Sequence, residues 1–361
     1  MNTIAEHDME AIAAGSAIYG TGGGGDPYLG KLLAMRTIRE HGPVQLVDLD
    51  HFDDDDLIVP IAMVGSPSVI LEKLPQVEPM LAALAALERH LGKRAKGLMS
   101  IEVGGINSTI PFCVASRLGL PLVDGDTMGR AFPELPMTLC TLHGILPWPL
   151  CIADEKGNVF TAEVADIHAA EQYVRTITME MGGAACLALY SMSAAQARKA
   201  LVPRSISAAR DAGQALFDAR RQHADPVGAV VRATGGYLLF KGKVSDVSRT
   251  VDGRFSFGLA SVQGLDDCAG RQAGLRFQNE FLMLESDGAV LCTTPDLIVL
   301  LDLESGEPIT AEQTRFGLRV AIVAIPCVAA WRTQAALALV GPRKFGYACD
   351  YVAVEQRVLE R

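Results

Sequence analysis

Residues 97–124 read GLMSIEVGGINSTIPFCVASRLGLPLVD, and this stretch decides the fold. Residues 97–103 form a mostly apolar stretch of strand length, carrying Ser100 and Glu102, that stops at Gly104-Gly105. Residues 109–118 space their apolar side chains for a helix, and residues 120–124 form a second short strand. Strand, helix and strand in such close succession make a βαβ unit, whose crossover sets the two strands parallel. The alternation extends upstream. Strands are expected at residues 45–49 and at residues 57–64 (LIVPIAMV). Helices are expected at residues 4–16, with Thr3 as N-cap, and at residues 28–41 and 77–91. A mainly parallel sheet with packed helices follows from this order.

The pattern changes near residue 165. Helices are expected at residues 168–182 and 206–222. Strands are then expected at residues 237–244, 256–262, 275–284, 289–293, 297–302 and 318–325. Turn dipeptides such as Asp252-Gly253 and Asp287-Gly288 separate these runs at hairpin spacing. The expected fold class is therefore α/β: an N-terminal α/β domain with a mainly parallel sheet, residues 1–165, holding the Gly-rich loops and the site. Residues 166–361 are expected to form a helical connection and a β-rich C-terminal domain.

Composition narrows the function. With 361 residues, 49% of them hydrophobic and 20% charged, the chain can bury a large core and is not disordered. Nucleic acid is disfavoured as a partner, because 32 basic residues face 42 acidic ones and no basic run occurs. The densest basic cluster is only Lys93, Arg94 and Lys96. No apolar stretch approaches the roughly 18 residues of a membrane span, and the acidic start lacks the layout of a signal peptide. Eight cysteines without a CxxC pair suit reduced, buried thiols, so a cytoplasmic protein is expected. Glycine, at 35 residues, exceeds its usual share of about 7% and concentrates where chemistry is expected.

The first such place is Gly20-Thr21-Gly22-Gly23-Gly24-Gly25-Asp26-Pro27-Tyr28. Consecutive glycines let bare N–H groups converge on an anion, and Pro27 can open a helix whose N-terminus favours negative charge. The loop lacks the Gly-Lys-Ser/Thr of a Walker A motif, and it follows a helix rather than the strand of a dinucleotide fingerprint. The plain alternative is a flexible turn, although a turn needs one glycine. Two further loops, Glu102-Val103-Gly104-Gly105-Ile106-Asn107-Ser108 and Asp124-Gly125-Asp126-Thr127-Met128-Gly129-Arg130-Ala131-Phe132-Pro133-Glu134, follow strands. Ligands of open parallel sheets bind at such strand ends. Asp124 and Asp126 can bind a divalent metal, act as base and orienter, or cap the next helix.

His143 lies in an apolar context near these loops. With Asp126 and Glu102 it would complete a His-plus-carboxylate set suited to Zn²⁺, and His143, Asp126 and Asp124 are the candidate metal ligands. The alternative is a satisfied core histidine. Cys140 is a soft ligand, a nucleophile or a small buried hydrophobe. In the second half Glu280 and Asp296 can point into a cleft, and Arg343 can pair with a substrate carboxylate or lie on the surface. GxSxG and HExxH are absent, which disfavours an ordinary serine hydrolase or zincin.

The three N-terminal motifs, followed in order by Gly242-Lys243-Val244, Gln278-Asn279-Glu280, Pro295-Asp296-Leu297-Ile298 and Gly341-Pro342-Arg343-Lys344-Phe345-Gly346-Tyr347, resemble a bacterial family long known only as a domain of unknown function. Some of its members are described as S-methyl-thiohydantoin desulfurases, and the resemblance covers nearly the whole chain. It implies an α/β domain joined to a β-rich domain, often encoded near hydantoinase or oxoprolinase-type enzymes. It further implies hydrolytic release of methanethiol from an S-methylated thiohydantoin ring, assisted by zinc. Thr127, and Val64-Gly65-Ser66-Pro67-Ser68 in place of a more usual Gly-Ala-Pro-Thr, depart from the family pattern. The working assignment takes Asp126, Glu102 and Asp26 as acid or base. Substrate contacts fall to Gly22, Gly23, Gly24, Gly25, Asn107, Arg130 and Arg343. The expected partner is a small ring substrate, with neither nucleic acid nor membrane, and a homo-oligomer is expected. Two other readings stand beside this one: a metal-free amide hydrolase using Cys140 or Ser108, and a non-catalytic ligand-binding subunit of a hydantoinase-like enzyme.

Overall fold

The computed structural model describes residues 2–65, 67–251 and 255–360, so the Asp252-Gly253 turn lies outside the described residues. The first sheet uses β1 (Asn2–Ile4), β2 (Val44–Val47), β3 (Leu57–Gly65), β4 (Gly97–Ser100) and β5 (Leu122–Val123). A two-residue strand, β6 (Gly125–Asp126), follows directly. Then come β7 (Leu150–Ala153), β8 (Val159–Ala162), β9 (Ala184–Ala188), β10 (Met192–Ser193) and β11 (Val202–Pro203).

The centre of the sheet is parallel, as the βαβ unit requires. β2, β5, β4 and β3 lie side by side, with Val47 opposite Val123, Leu98 opposite Leu122 and Ile58 opposite Gly97. Antiparallel strands flank this centre: β1 on β2, and β9, β7 and β8 beyond β3. β10 pairs with β3, and β11 pairs with β6 in a small separate sheet. The α/β body thus draws on residues on both sides of the composition shift near residue 165. Helix Val77–Leu91 buries Val77, Met80, Ala83, Leu84 and Leu87 along one side, the spacing of an amphipathic helix.

The second sheet is antiparallel throughout. It consists of β12 (Tyr237–Val251), β13 (Ser256–Gly264), β14 (Gln272–Gln278), β15 (Glu280–Ser286), β16 (Ala289–Thr293), β17 (Leu297–Asp302) and β18 (Arg319–Ile325). Its order is β16-β15-β14-β13-β12-β18-β17, and Thr294 N–H continues the β15–β16 ladder by donating to the Leu282 carbonyl at 2.8 Å. One apolar core runs between the domains. Trp331 is fully buried there, edge-on to Phe132 at 5.2 Å, and its indole N–H donates to the Met128 carbonyl at 2.7 Å.

Two local readings change, and one stretch left unassigned in sequence becomes a strand. Residues 4–16 are not one helix: Ile4 ends β1, and the helix is Asp8–Tyr19, whose Asp8 carboxylate accepts from Ala5 N–H. Residues 275–284 are not one strand, because Asn279 takes a left-handed φ of 58° and turns the chain between β14 and β15. Asparagine is among the few residues that adopt this conformation readily. The alanine-rich stretch after residue 182 supplies β9, buried at every position, where small apolar residues fit between neighbouring layers.

Candidate active site

Three carboxyl groups gather where the domains meet. Glu102 lies just past β4 of the first sheet, Asp126 ends β6 of the small two-stranded sheet, and Glu280 opens β15 of the second domain. All three are buried, and the charges of Glu280 and Asp126 both act on Glu102. Burial is the largest influence on each, since the charged form loses its hydration.

Glu102 is pushed up to about 8 by burial, against the pull of Asn107 and the Phe132 N–H. Asn107 Nδ2 donates to Glu102 Oε1 at 2.7 Å. The same amide takes the Met63 N–H on Oδ1 at 2.7 Å and donates to the Met63 carbonyl at 3.3 Å. It thereby satisfies the end of β3 beyond the reach of β4. Asp126 is pushed up to about 6 by burial, although Val103, Met128 and Gly129 donate backbone N–H groups to Oδ2 at 2.9, 3.0 and 2.7 Å. Ser205 Oγ lies near Asp126 without hydrogen-bond geometry, and Oδ1 has no partner among the described residues. Glu280 is pushed up to about 7 by burial, opposed first by the charge of Arg130 and also by the Gly24 N–H. Its Oε2 has no partner among the described residues.

The glycine loop lies on Glu280. A Cβ built on Gly23 would stand 2.0 Å from Glu280 Oε1, so any side chain here would have to displace the Glu280 carboxyl. A Cβ on Gly105 would stand 2.1 Å from the Gly24 carbonyl, where the first two Gly-rich loops cross. The loop's carbonyls stitch it down. Thr21 accepts from Phe281 N–H at 2.7 Å, Gly22 from Ala311 at 2.8 Å and Gly24 from Ile106 at 3.0 Å. Gly22, Gly23 and Gly24 therefore pack closely against protein and only Gly25 keeps room, so the loop is not an open anion nest. A surface cleft lined by Met63, Lys73, Gln76, Asp154 and Glu155 lies nearby. Met63 connects it to the carboxyls through Asn107 and Glu102.

Of the candidate residues, Glu102, Asp126, Asn107, Arg130 and the glycines come together. The others do not. Asp26 caps helix Pro27–His41 by accepting from Tyr28 N–H at 2.9 Å. Asp124 spends both oxygens on Ser207, 3.0 Å from its N–H and 2.6 Å from its hydroxyl, at the start of helix Ser205–Arg221. His143 is exposed, and Arg343 forms a two-point exposed pair with Asp350 at 2.6 and 3.2 Å. Among the described residues no three His, Cys, Asp or Glu side chains form a group able to hold a metal ion. The donors His143, Asp126 and Asp124 therefore do not fit a zinc ion: one is on the surface and one is consumed in capping.

The candidate nucleophiles are not activated either. Burial pushes the Cys140 thiol up to about 12, and Ser108 Oγ donates to the Gly105 carbonyl at 2.7 Å. Asp296 accepts from Cys327 N–H, Tyr351 hydroxyl and Val354 N–H at 2.8–2.9 Å, anchoring the C-terminal segment. Ser205 carries no motif signal in sequence, and Thr21, although part of the first Gly-rich motif, is brought beside Arg130 only by folding. Among the described residues no helix is long and apolar enough to cross a membrane.

Comparison with known proteins agrees with the two-part architecture. A crystal structure of a structural-genomics target from Chromobacterium violaceum is 25% identical, with a TM-score of 0.83 over 98% of this chain and 100% of that chain. No curated protein matches the chain. The family model for the S-Me-THD-like N-terminal domain matches residues 7–164, and that for the S-Me-THD-like C-terminal domain matches residues 165–354. Matched along nearly its full length by these two models, the chain belongs to the S-Me-THD-like family.

Proposed function

We propose that the protein hydrolyses the C–S bond of an S-methylated thiohydantoin ring, releasing methanethiol and leaving a hydantoin. Family membership ties the chain to S-methyl-thiohydantoin. The observation that carries the reading is the buried set of three carboxyls whose proton affinities differ, from about 6 at Asp126 to about 8 at Glu102. At neutral pH Glu102 carries a proton and Asp126 does not. Carboxyls separated in this way can serve as acid and base in one step.

In the reaction, water adds to the ring carbon bearing sulfur, and the unpartnered Oδ1 of Asp126 takes a proton from it. The new C–O bond becomes the ring carbonyl as the C–S bond breaks. The ring nitrogen and the departing sulfur end with one proton each, both originating in the water, with Glu102 delivering its own proton and being recharged. Asn107 orients Glu102 for that delivery by holding Oε1. The test is thiol release from a panel of hydantoins, thiohydantoins and their S-methyl forms. Glu102→Gln and Asp126→Asn should each lose roughly 10²–10⁴-fold in rate on the S-methyl compound. Wild-type rates in both variants would sink the acid–base assignment, and tight ring binding without thiol release would make the chain a binding subunit.

A further inference from the structure

We propose that Arg130 is a positioning residue that seats Glu280 of the second domain under the glycine loop of the first, and is not a ligand for substrate. The inference rests on the acid–base reading of the carboxyl cluster and adds a residue to it. Arg130 is fully buried, and its donors all end on protein. Nε donates to the Ala131 carbonyl at 2.9 Å. Nη1 donates to the Pro295 and Asp296 carbonyls at 3.1 and 2.9 Å, and Nη2 to Thr21 Oγ1 and the Phe281 carbonyl at 2.9 and 3.4 Å. No N–H is left for a substrate. The Phe132 ring covers the guanidinium at 4.6 Å.

Two of those acceptors flank the contact between loop and carboxyl. Thr21 precedes Gly22, and Phe281 follows Glu280. Thr21 and Phe281 are also joined to each other, because Phe281 N–H donates to the Thr21 carbonyl at 2.7 Å. Arg130 Nη2 therefore closes a ring of hydrogen bonds with Thr21 and Phe281, the residues next along the chain to the glycine run and to Glu280. Thr21 needs such a hold. It is β-branched yet sits at a left-handed φ of 50°, a conformation such residues keep only when the surroundings impose it. On the other side of Glu280, Asn279 is fixed by reciprocal bonds with Ser256, each 2.9 Å long. Arg130 and Glu280 make no direct ion pair within 4 Å among the described residues, so the arginine acts through geometry and through its field. Only a planar fork reaches all these acceptors at once, and lysine cannot replace it.

The experiment compares Arg130→Lys, Arg130→Gln and Thr21→Val in the full chain, reading thiol release against pH and the titration of ¹³C-labelled Glu280 by NMR. Arg130→Lys should lower kcat at least roughly tenfold with KM within about threefold, the pattern of lost transition-state alignment. Its Glu280 titration should stay near wild type, because the charge is kept. Arg130→Gln should move the Glu280 titration upward, because the nearby positive charge is gone. Thr21→Val keeps the shape, removes one acceptor and should move kcat the same way by a smaller factor, which keeps the test open if the arginine variants fold poorly. In Glu280→Gln/Arg130→Lys the arginine effect should vanish. A rise in KM with unchanged kcat would make Arg130 a substrate ligand. Additive losses in the double variant, or an unmoved Glu280 titration in Arg130→Gln, would leave it a plain interdomain staple and overturn the proposal. Full activity in Glu102→Gln and Asp126→Asn would instead refute the acid–base reading, and the NMR titration judges Arg130 independently of that result.

Discussion

Gly23 shows how one missing methyl can set the geometry of a site. Its α-hydrogen faces Glu280, and a Cβ there would be 2.0 Å from the carboxyl oxygen. Gly25, two residues on, is left-handed at φ 76° but has open room, with its nearest neighbour, Ile106 Cγ2, 3.6 Å away. The two positions separate steric cost from backbone cost. Gly25→Ala should cost about 1–2 kcal/mol, the penalty of a left-handed alanine. Gly23→Ala should cost about 1–3 kcal/mol through overpacking and should also displace Glu280, lowering thiol release. Urea denaturation with a parallel rate assay checks both. If Gly23→Ala keeps wild-type turnover, the close approach has no bearing on the reaction. Four successive glycines announce such a place in the sequence. Which glycine meets which carboxyl depends on Glu280, far along the chain and in another sheet.

At the scale of elements, the N-terminus of helix Ser205–Arg221 depends on a residue outside it. Its own N-cap, Arg204, is left-handed and makes no side-chain cap, and Asp124 supplies the acceptors from the end of β5. Asp124→Ala should therefore destabilise the protein by about 0.5–2 kcal/mol, the usual worth of a cap, and Asp124→Asn should recover part of it. Thermal unfolding of the two variants reads this directly. An alanine variant as stable as wild type would show that Ser207 needs no such partner. Aspartates after a strand read equally as caps or as site residues. The neighbouring Asp126, two positions on, faces the carboxyl cluster while Asp124 faces a helix, and only packing separates them.

Across the whole molecule, the domains close over carboxyls that hold protons more tightly than free ones do. Glu102 moves from 4.5 to about 8, Glu280 from 4.5 to about 7 and Asp126 from 3.8 to about 6. Between those limits the folded chain binds more protons than the unfolded one, so stability is highest at low pH on this account and falls as pH rises toward 8. Urea midpoints should decline from pH 5 to pH 8.5 in the wild type. Glu102→Gln, which cannot ionise, should flatten the decline across the range from pH 5 to about 8. Equal slopes for the two proteins would show that Glu102 does not carry the raised affinity. The expected zinc donors scatter for local reasons, since Asp124 is held by Ser207. His143 is close to Asp126 in sequence, yet it falls just beyond a one-turn helix, Leu139–Leu142, that leaves it in solvent.

The sequence by itself determined the parallel strands of the first sheet, the change to antiparallel strands in the second half and the three Gly-rich loops. Hydrophobic period, helix length and turn residues are local properties, and local properties survive without a partner. The tertiary structure decided the site. It chose Glu280 as third carboxyl, turned Arg130 from a free cation into a buried fork and gave Asp124 to a helix end. Those outcomes depend on desolvation and close contact between residues 83 or more positions apart, and such contacts exist only once the chain is packed.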